Sequence, residues 1–436
     1  MNSMITCAIM QTRLTRVKRK MPRITNLAGE IEKQLPTELV EFMQASGLVA
    51  ANQGQSLYLV GGVVRDLLLK RTNLDLDLVV EGDAINLARQ LADIVQAKLV
   101  THPRFNTAKL RWDKWSVDLT SARSEIYDKP GALPRVTLGS LWQDLFRRDF
   151  TINAMAVSLA PDRYGELVDL YGGRSDLEHK RIRILRNNSF IDDATRIWRG
   201  LRYEQRLDFQ LEKDTLKLLK RNLSMLDTIS GDRMRHELEL ILREEFPEKA
   251  LCRAYKLRVL SKLHPALKAD DWLADKFEWA RQLSSPDSPP VAIYLALLAY
   301  RLTAERNEQL ILRLNLPKTL AKALRDTISL KAQLGLLDSP GLINSSVYHL
   351  LHGYSLQAVT ANLLVCDSLV ACHRIQLFLN KLRRVRPLLT GKDLVRMGIA
   401  PGPRVKDLLR LLRDARLNGR ITTREGEEAI ARSWVE

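Results

Sequence analysis

Residues 74–80 read "LDLDLVV". Successive side chains of a β-strand point to opposite faces, so Asp75 and Asp77 share one face and Leu74, Leu76 and Leu78 the other. Aspartate is depleted in strands, and two adjacent anions repel, so the pair calls for a cation. Hard carboxylate oxygens at this spacing suit Mg²⁺, and a metal there would assist an in-line displacement at phosphorus. Two solvent-facing aspartates on an edge strand are the plain alternative. Upstream, Gly61 and Gly62 close the strand-like "LYLVGG" and open the helix-like "VVRDLLLK". A glycine turn lets backbone N–H groups approach a triphosphate, and a helix N-terminus favours anions. Arg65, one turn in, could reach the phosphates. The order G-G-x-x-R-D, then D-x-D, is more specific than either half. Asp118, in "WSVDLTSAR", is a candidate third acid on a later strand, or an ordinary surface residue of that strand.

These residues need a small sheet to hold them. Residues 27–50 read as one helix with Ile31, Leu35, Leu39 and Phe42 on a stripe. Asp83 is a plausible N-cap for "AINLARQLADIVQA". "TAKLRW" and "WSVDLTSA" read as a hairpin around Lys114, "SLWQDLFRRDF" as a helix capped by Ser140, and "NAMAVSL" and "ELVDL" as short strands. After about residue 186 strand patterns vanish. A helix covers "DDATRIWRGLRYEQRL", and helical periodicity continues to the end, broken by loops at 284–290 and 400–404. The expected class is α+β, with a mixed-sheet head followed by all-helical parts. The expected divisions are a basic tail (1–26), a head (27–185), a helical neck (186–245), a body (246–386) and a tail (387–436).

The chain has 436 residues and a formal charge of +17, which points to a polyanionic partner; a basic membrane-surface protein is the alternative. No run approaches the roughly 18 apolar residues of a membrane span. The N-terminal apolar stretch precedes its basic residues (Arg13, Arg16, Lys18, Arg19, Lys20, Arg23), the wrong order for a secretory signal, and Met21 is an alternative start. Cys7, Cys252, Cys366 and Cys372 form no C-x-x-C pair, and Cys366, Cys372 and His373 fit no common zinc spacing. Free thiols in a cytoplasmic protein are expected.

Taken in order, "LVGGVVRDLLL", "LDLDLVV", "DLFRRDFTINAMA", "DLYGGRSDLEHKRIRIL" and "DDATRIWRGLRYEQRLDF" resemble the motifs of the tRNA nucleotidyltransferase and bacterial poly(A) polymerase family, the class II branch of the polymerase-β-like superfamily. They cover about residues 57–243; residues 389–425 also resemble the tail of CCA-adding enzymes, and 246–386 match nothing residue by residue. The resemblance implies a polymerase-β-like head in which Asp75 and Asp77 bind Mg²⁺. It implies nucleotide contacts from Gly61, Gly62, Arg65 and Arg148, with Asp149 and Asn153 near the ribose. Arg147 is as readily part of a structural ion pair. Asp193 and Arg196 match the base-reading residues of an E-D-x-x-R motif, with Asp192 in place of the usual glutamate. Cytosine and adenine both set an amine beside a ring acceptor, so one Asp–Arg pair could read both. Arg199 and Arg202 would face the triphosphate, or form a basic solvent face. Arg233 and Glu237 read as an i,i+4 structural pair.

The function implied is addition of CTP and/or ATP to a tRNA 3′ end without a nucleic-acid template, with the basic helical body clamping the acceptor arm. The loop "SEIYDKPGALPRV" leans toward the A-adding branch. The alternative is a poly(A) polymerase acting on general RNA, but the arginine-rich stretch those enzymes carry after the D-x-D helix is missing. A non-catalytic RNA-binding relative would have lost a carboxylate of the pair, and both are present.

Overall fold

The computed structural model describes residues 25–132 and 134–434. The basic N-terminal stretch, Met21 and Cys7 lie outside them. The described chain forms two compact units, residues up to 125 with 136–179, and residues 126–135 with 180 onward.

The first unit opens with α1 (Ala28–Gln34) and α2 (Thr37–Asn52). They replace the single helix expected over 27–50. Pro36 has no N–H to donate and drives Leu35 into extended backbone (ψ 148°), so the stripe is carried by two helices. Then come β1 (Ser56–Val60), α3 (Gly62–Leu68), β2 (Leu76–Glu81), α4 (Ala84–Val95), β3 (Lys98–His102), β4 (Thr107–Trp112) and β5 (Trp115–Ser121). The short pair β6 (Arg123–Ile126) and β7 (Arg135–Leu138) follows, then α5 (Leu141–Phe146), β8 (Ala156–Ser158), β9 (Leu167–Val168) and α6 (Gly173–Glu178).

Seven strands make one mixed sheet in the order β3-β4-β5-β2-β1-β8-β9; β2 and β5 run parallel, and the other neighbours are antiparallel. Leu76, Leu78 and Val80 of β2 and Val117 and Leu119 of β5 are buried, and α4 packs on β4 and β5 while α2 packs on β1. The alternate residues Asp77 and Asp118 face the other way and are half-buried. Asp83 caps α4 by accepting from the N–H groups of Ile85 and Asn86, and Ser140 with Gln143 forms a capping box on α5. Trp112 and Trp115 close the hairpin, with Asp113 at φ +45°. Strand β2 starts at Leu76 rather than Leu74, because Asn73 Oδ1 accepts from the Asp75 N–H and turns the chain there. The strand expected at "ELVDL" stops at Val168, because the Asp169 carboxylate accepts from the N–H groups of Gly173 and Arg174 at the start of α6.

In the second unit β10 (Arg181–Ile182) pairs in parallel with β11 (Gln210–Leu211), so strand structure outlasts residue 186 by one two-residue ladder. Between them lie α7 (Ser189–Asp192) and α8 (Thr195–Leu207), and α9 (Lys213–Arg221) and α10 (Gly231–Leu242) follow. From there to residue 432 the described chain is helical, with loops at 285–290 and 400–402. Cys252, Cys366 and Cys372 are free thiols. No helix among the described residues is long and apolar enough to cross a membrane.

Gly47 lets α2 lie against the carbonyl of Leu159; a Cβ there would stand 2.8 Å from that carbonyl carbon and closer still to its oxygen. Gly47→Ala is therefore expected to destabilise the protein by about 3 kcal/mol, at the upper end of overpacking costs, read as a shift in urea midpoint at unchanged slope.

Candidate active site

In the first unit β1 runs into Gly61, whose backbone (φ +80°) turns the chain into α3. A Cβ at Gly61 would sit 3.1 Å from Arg148 Nη1 and 3.3 Å from Asp77 Oδ2. Glycine is thus needed twice, for its conformation and for its missing side chain, and a guanidinium and a carboxylate both border the bare backbone.

Arg148 is aimed there by Asp144, one turn earlier. Asp144 is wholly buried; its Oδ2 accepts from Arg148 Nε and Nη2 (3.3 and 2.9 Å), its Oδ1 from Arg147 Nε and Nη2 (3.0 and 2.6 Å). Burial alone would raise the Asp144 carboxyl, but the charges of Arg148 and Arg147 outweigh it and hold it below the usual range. Arg147 is braced further by Glu125 at 2.8 Å. Of the adjacent arginines, Arg147 is spent on an ion-pair network and Arg148 faces the Gly61 turn.

Asp77 has the opposite balance. Burial pushes its carboxyl up to about 6, and Asp75 and Asp118 push the same way against Arg148 and Lys109. Asp118 stands directly across from Asp77 in the β2–β5 register and pairs with Lys109 at 2.9 Å. Asp75 is exposed, just before the strand. No three His, Cys, Asp or Glu side chains among the described residues are grouped to hold a metal by themselves. Asp77 is short of positive charge, and Asp75 beside it is open to solvent.

Arg65 is buried and committed. Its Nε and Nη2 grip Asp66 (2.9 and 2.7 Å), and its Nη1 donates to Asn153 Oδ1 (2.7 Å). Asn153 Nδ2 donates to Asp149 Oδ1, which also accepts from the Phe150 N–H (3.0 and 2.8 Å), and Asn73 donates to Asp66 (2.7 Å). Arg65, Asp149 and Asn153 therefore form one connected network. Gly62 lies beneath it, with room for a Cβ 3.5 Å from the Arg65 guanidinium. The sequence reading did not single out Asp144, Asp66, Asn73 or Lys109 as site residues. Asp144 was legible at i−3 and i−4 from two arginines; Lys109 required the hairpin register.

In the second unit Asp193 lies in extended backbone between α7 and α8. Its Oδ1 accepts from the Thr195 N–H (3.0 Å), Thr195 Oγ1 (2.7 Å) and Arg233 Nη2 (2.7 Å). Arg196 is buried and donates to Ser189 Oγ at 2.7 Å. Asp192 pairs with Arg186 at 3.0 Å. Arg199 lies 3.9 Å from Glu237, and Arg202 donates to Glu244 at 3.2 Å; both guanidiniums approach the Tyr203 ring. Arg202 is buried and Arg199 partly so, so this helix face is not open to solvent. The expected pair between Arg233 and Glu237 is not formed: each turns from α10 to a partner on or before α8. Pairs 233–193, 237–199 and 244–202 run as a ladder between the stretches 233–244 and 193–202.

Asp144→Ala should cost about 3–5 kcal/mol, because two guanidiniums lose a buried counter-charge at once. Arg147→Ala, which leaves Asp144 paired with Arg148, should cost less. Urea melts of both variants check the order.

Residues 57–183 match the family described as poly A polymerase head domain, and residues 208–271 the family described as probable RNA and SrmB-binding site of polymerase A. The chain is 31% identical over 428 residues to an A-adding tRNA nucleotidyltransferase of Halalkalibacterium halodurans, covering 94% of this chain and 96% of that one. It is 35% identical over 418 residues to an A-adding tRNA nucleotidyltransferase of Geobacter sulfurreducens, covering 92% of this chain but 48% of the relative, so it spans about half that protein's length. Among solved structures, the Thermotoga maritima CCA-adding enzyme complexed with tRNA-CCA superposes with a TM-score of 0.74 at 28% identity, over 95% of this chain and all of the other.

Proposed function

Because the chain belongs to the class II tRNA nucleotidyltransferase family, we propose that it transfers AMP from ATP to the 3′ end of a tRNA already ending in CC, without a nucleic-acid template. The terminal 3′-oxygen bonds to the α-phosphorus, the bond from that phosphorus to the bridging oxygen breaks, pyrophosphate leaves, and the hydroxyl proton passes to solvent. The observation that carries the reaction is that Asp77 and Arg148 both border the bare backbone of Gly61. It sets an anionic metal ligand and a cation beside a bare backbone turn that a triphosphate can approach.

Asp75 and Asp77 are the residues that would hold Mg²⁺. When bound, the ion supplies positive charge where the transferring phosphoryl group develops negative charge. Arg148, fixed by Asp144, binds the triphosphate, and most of the acceleration comes from such positioning and preset charge. The network of Arg65, Asn153 and Asp149 keeps the Gly62 turn and the ribose side of the pocket in shape. Asp118, held by Lys109, lies beside Asp77 as the third acid. In the second unit Asp193 accepts from the amine of the base and Arg196 donates to its ring acceptor. Arg199 and Arg202 lie on α8 with Arg196, and the net charge of +17 favours the tRNA backbone. A tRNA substrate and free thiols fit a cytoplasmic protein. AMP rather than CMP is favoured by the loop "SEIYDKPGALPRV", whose form leans toward the A-adding branch, and by the likeness to two A-adding relatives.

The decisive assay offers tRNAs ending before CCA, after one C and after two C, with ATP and CTP separately. AMP addition confined to the third substrate is expected. Addition of both nucleotides to completion would mean a CCA-adding enzyme, and long A tails on unrelated RNA a poly(A) polymerase.

The metal assignment has its own readout. Mg²⁺ with ATP should raise the melting temperature of the wild type and leave Asp77→Asn unmoved, while nucleotide addition by the variant falls by about 10³-fold or more. Equal thermal shifts in both proteins would overturn the assignment.

A further inference from the structure

Cys366 and Cys372 stand six positions apart, and no step of the proposed reaction uses them. Cys366 ends the helix Leu356–Val365 in extended backbone (φ −62°, ψ 127°), and Cys372 lies in the first turn of the helix Leu369–Asn380. Residues 366–368 make the corner between the two helices. Both thiols are tied to that corner. Cys372 Sγ donates to the Cys366 carbonyl at 3.3 Å, and Cys366 Sγ donates to the Ser368 carbonyl at 3.6 Å. The Ser368 carbonyl also accepts from the Cys372 N–H at 2.9 Å. The two side chains are within hydrogen-bonding contact of each other. His373 is exposed, and no group of three metal ligands forms among the described residues, so the two sulfurs act as a pair.

The two thiols have different surroundings. Cys366 packs against a core that includes Val359, Ala371 and Ile375. Burial pushes its thiol up to about 11; a backbone hydrogen bond with Ser368 works against the rise, and the Cys372 side chain adds to it. A proton held so firmly suits Cys366 to the second step of an oxidation, not the first. Cys372 is partly exposed and has a cation for a neighbour. Lys276, buried on the helix Asp271–Ser284, sits over the Trp279 ring at 3.8 Å. Burial lowers its ammonium, while Asp367, Asp275 and Cys372 pull it back up. Positive charge beside an accessible sulfur favours reaction as the thiolate. Cys252, the third described cysteine, lies on the helix Pro247–Lys256, where burial raises its thiol against the charge of Lys256. It serves as the internal control.

We propose that Cys366 and Cys372 are a reversible oxidation site: a hydroperoxide oxidises Cys372, Cys366 closes a disulfide with it, and the corner between the two helices stays locked until a dithiol reduces the bridge. The Cys372 thiolate attacks one peroxide oxygen. The O–O bond breaks, the other oxygen leaves and is protonated to water or alcohol, and Cys372 becomes a sulfenic acid. Cys366 gives up its proton and attacks that sulfur; the S–O bond breaks, and the departing hydroxide takes the proton as water. The thiol pair loses two electrons and the peroxide gains them. Closure removes both S–H donors, so the Cys366 and Ser368 carbonyls lose those partners and a covalent bond holds the corner in their place. In a reducing compartment such a bridge is transient, as a sensing disulfide is.

The test reads thiols, so it stands whichever nucleotide the protein adds. The full-length protein is treated with hydrogen peroxide, its remaining thiols are alkylated, and its peptides are mapped by mass spectrometry. A 366–372 bridge is expected, forming about tenfold or more faster than any oxidation of Cys252 and reversed by dithiothreitol. Amides across 366–372 should exchange hydrogen about tenfold more slowly in the oxidised protein. Cys366→Ser should stop at the sulfenic acid of Cys372, trapped by dimedone as a single adduct. Cys372→Ser should leave Cys366 reduced over the same time. Lys276→Met, which keeps the length of the side chain and removes its charge, should slow closure about tenfold. Should a variant fail to fold, the mapping and exchange on the wild type carry the test. Oxidation of Cys252 at the same rate, or sulfinic acid on either cysteine with no 366–372 bridge, would overturn the proposal. A dimedone adduct on Cys366 in Cys372→Ser, or an unchanged rate in Lys276→Met, would overturn the order of attack.

Discussion

Asp144 is wholly buried, and each of its oxygens accepts from a different arginine. A carboxylate stripped of water is tolerated only when cations and hydrogen bonds replace the hydration it lost, and here two guanidiniums do so. The arrangement of the head follows from that requirement. Arg147 reaches on to Glu125, and Arg148 turns toward the Gly61 backbone that Asp77 also borders. Asp77 is then the carboxylate left with too little compensation, and on the proposed reading the cation that balances it comes from solution. A protein with every carboxylate neutralised internally would be more stable and would have nowhere to recruit a metal and a triphosphate.

The second unit solves a related problem differently. The arginines of α8 are strung along that helix, Arg199 met by Glu237, Arg202 and Arg206 by Glu244, and Arg196 by Ser189. Glu237 shows the cost: burial raises its carboxyl although Arg199 and Arg202 pull it down. A ladder of partly exposed pairs contributes modest stability per pair, but it fixes the rotation of one helix against the other. For the base-reading role proposed for Asp193 and Arg196, fixed rotation matters more than added stability.

Local chemistry in the sequence accounted for much of this. Alternation gave the inward leucines of β2, Asp83 and Ser140 marked their helix starts, and the two tryptophans bracketed a hairpin. Where expectation and structure part, tertiary partners decide. Nothing local indicates that Arg233 will bond to Asp193, 40 positions earlier, in preference to Glu237 four positions later; helix packing chooses. Nor does spacing reveal that Lys109 faces Asp118, which follows from strand register. The break at Pro36 is different in kind, since the proline was in plain view and the apolar stripe outweighed it. Asp75 falls outside its strand because a side chain, Asn73, competes for the backbone.

The segment 126–135 leaves the head between two of its strands and returns, so the polypeptide passes between the units at three points, after residues 125, 135 and 179. Neither unit is a contiguous stretch of gene. A hybrid spliced once at the last crossing would bring its donor's head together with the donor's own version of 126–135, and seat that foreign strip, through Gly131, on the resident Thr228 and α10. Recombination among relatives is thereby penalised unless the strip and its seat travel together. Their residues should change in concert through descent, even though about a hundred positions separate them in the sequence.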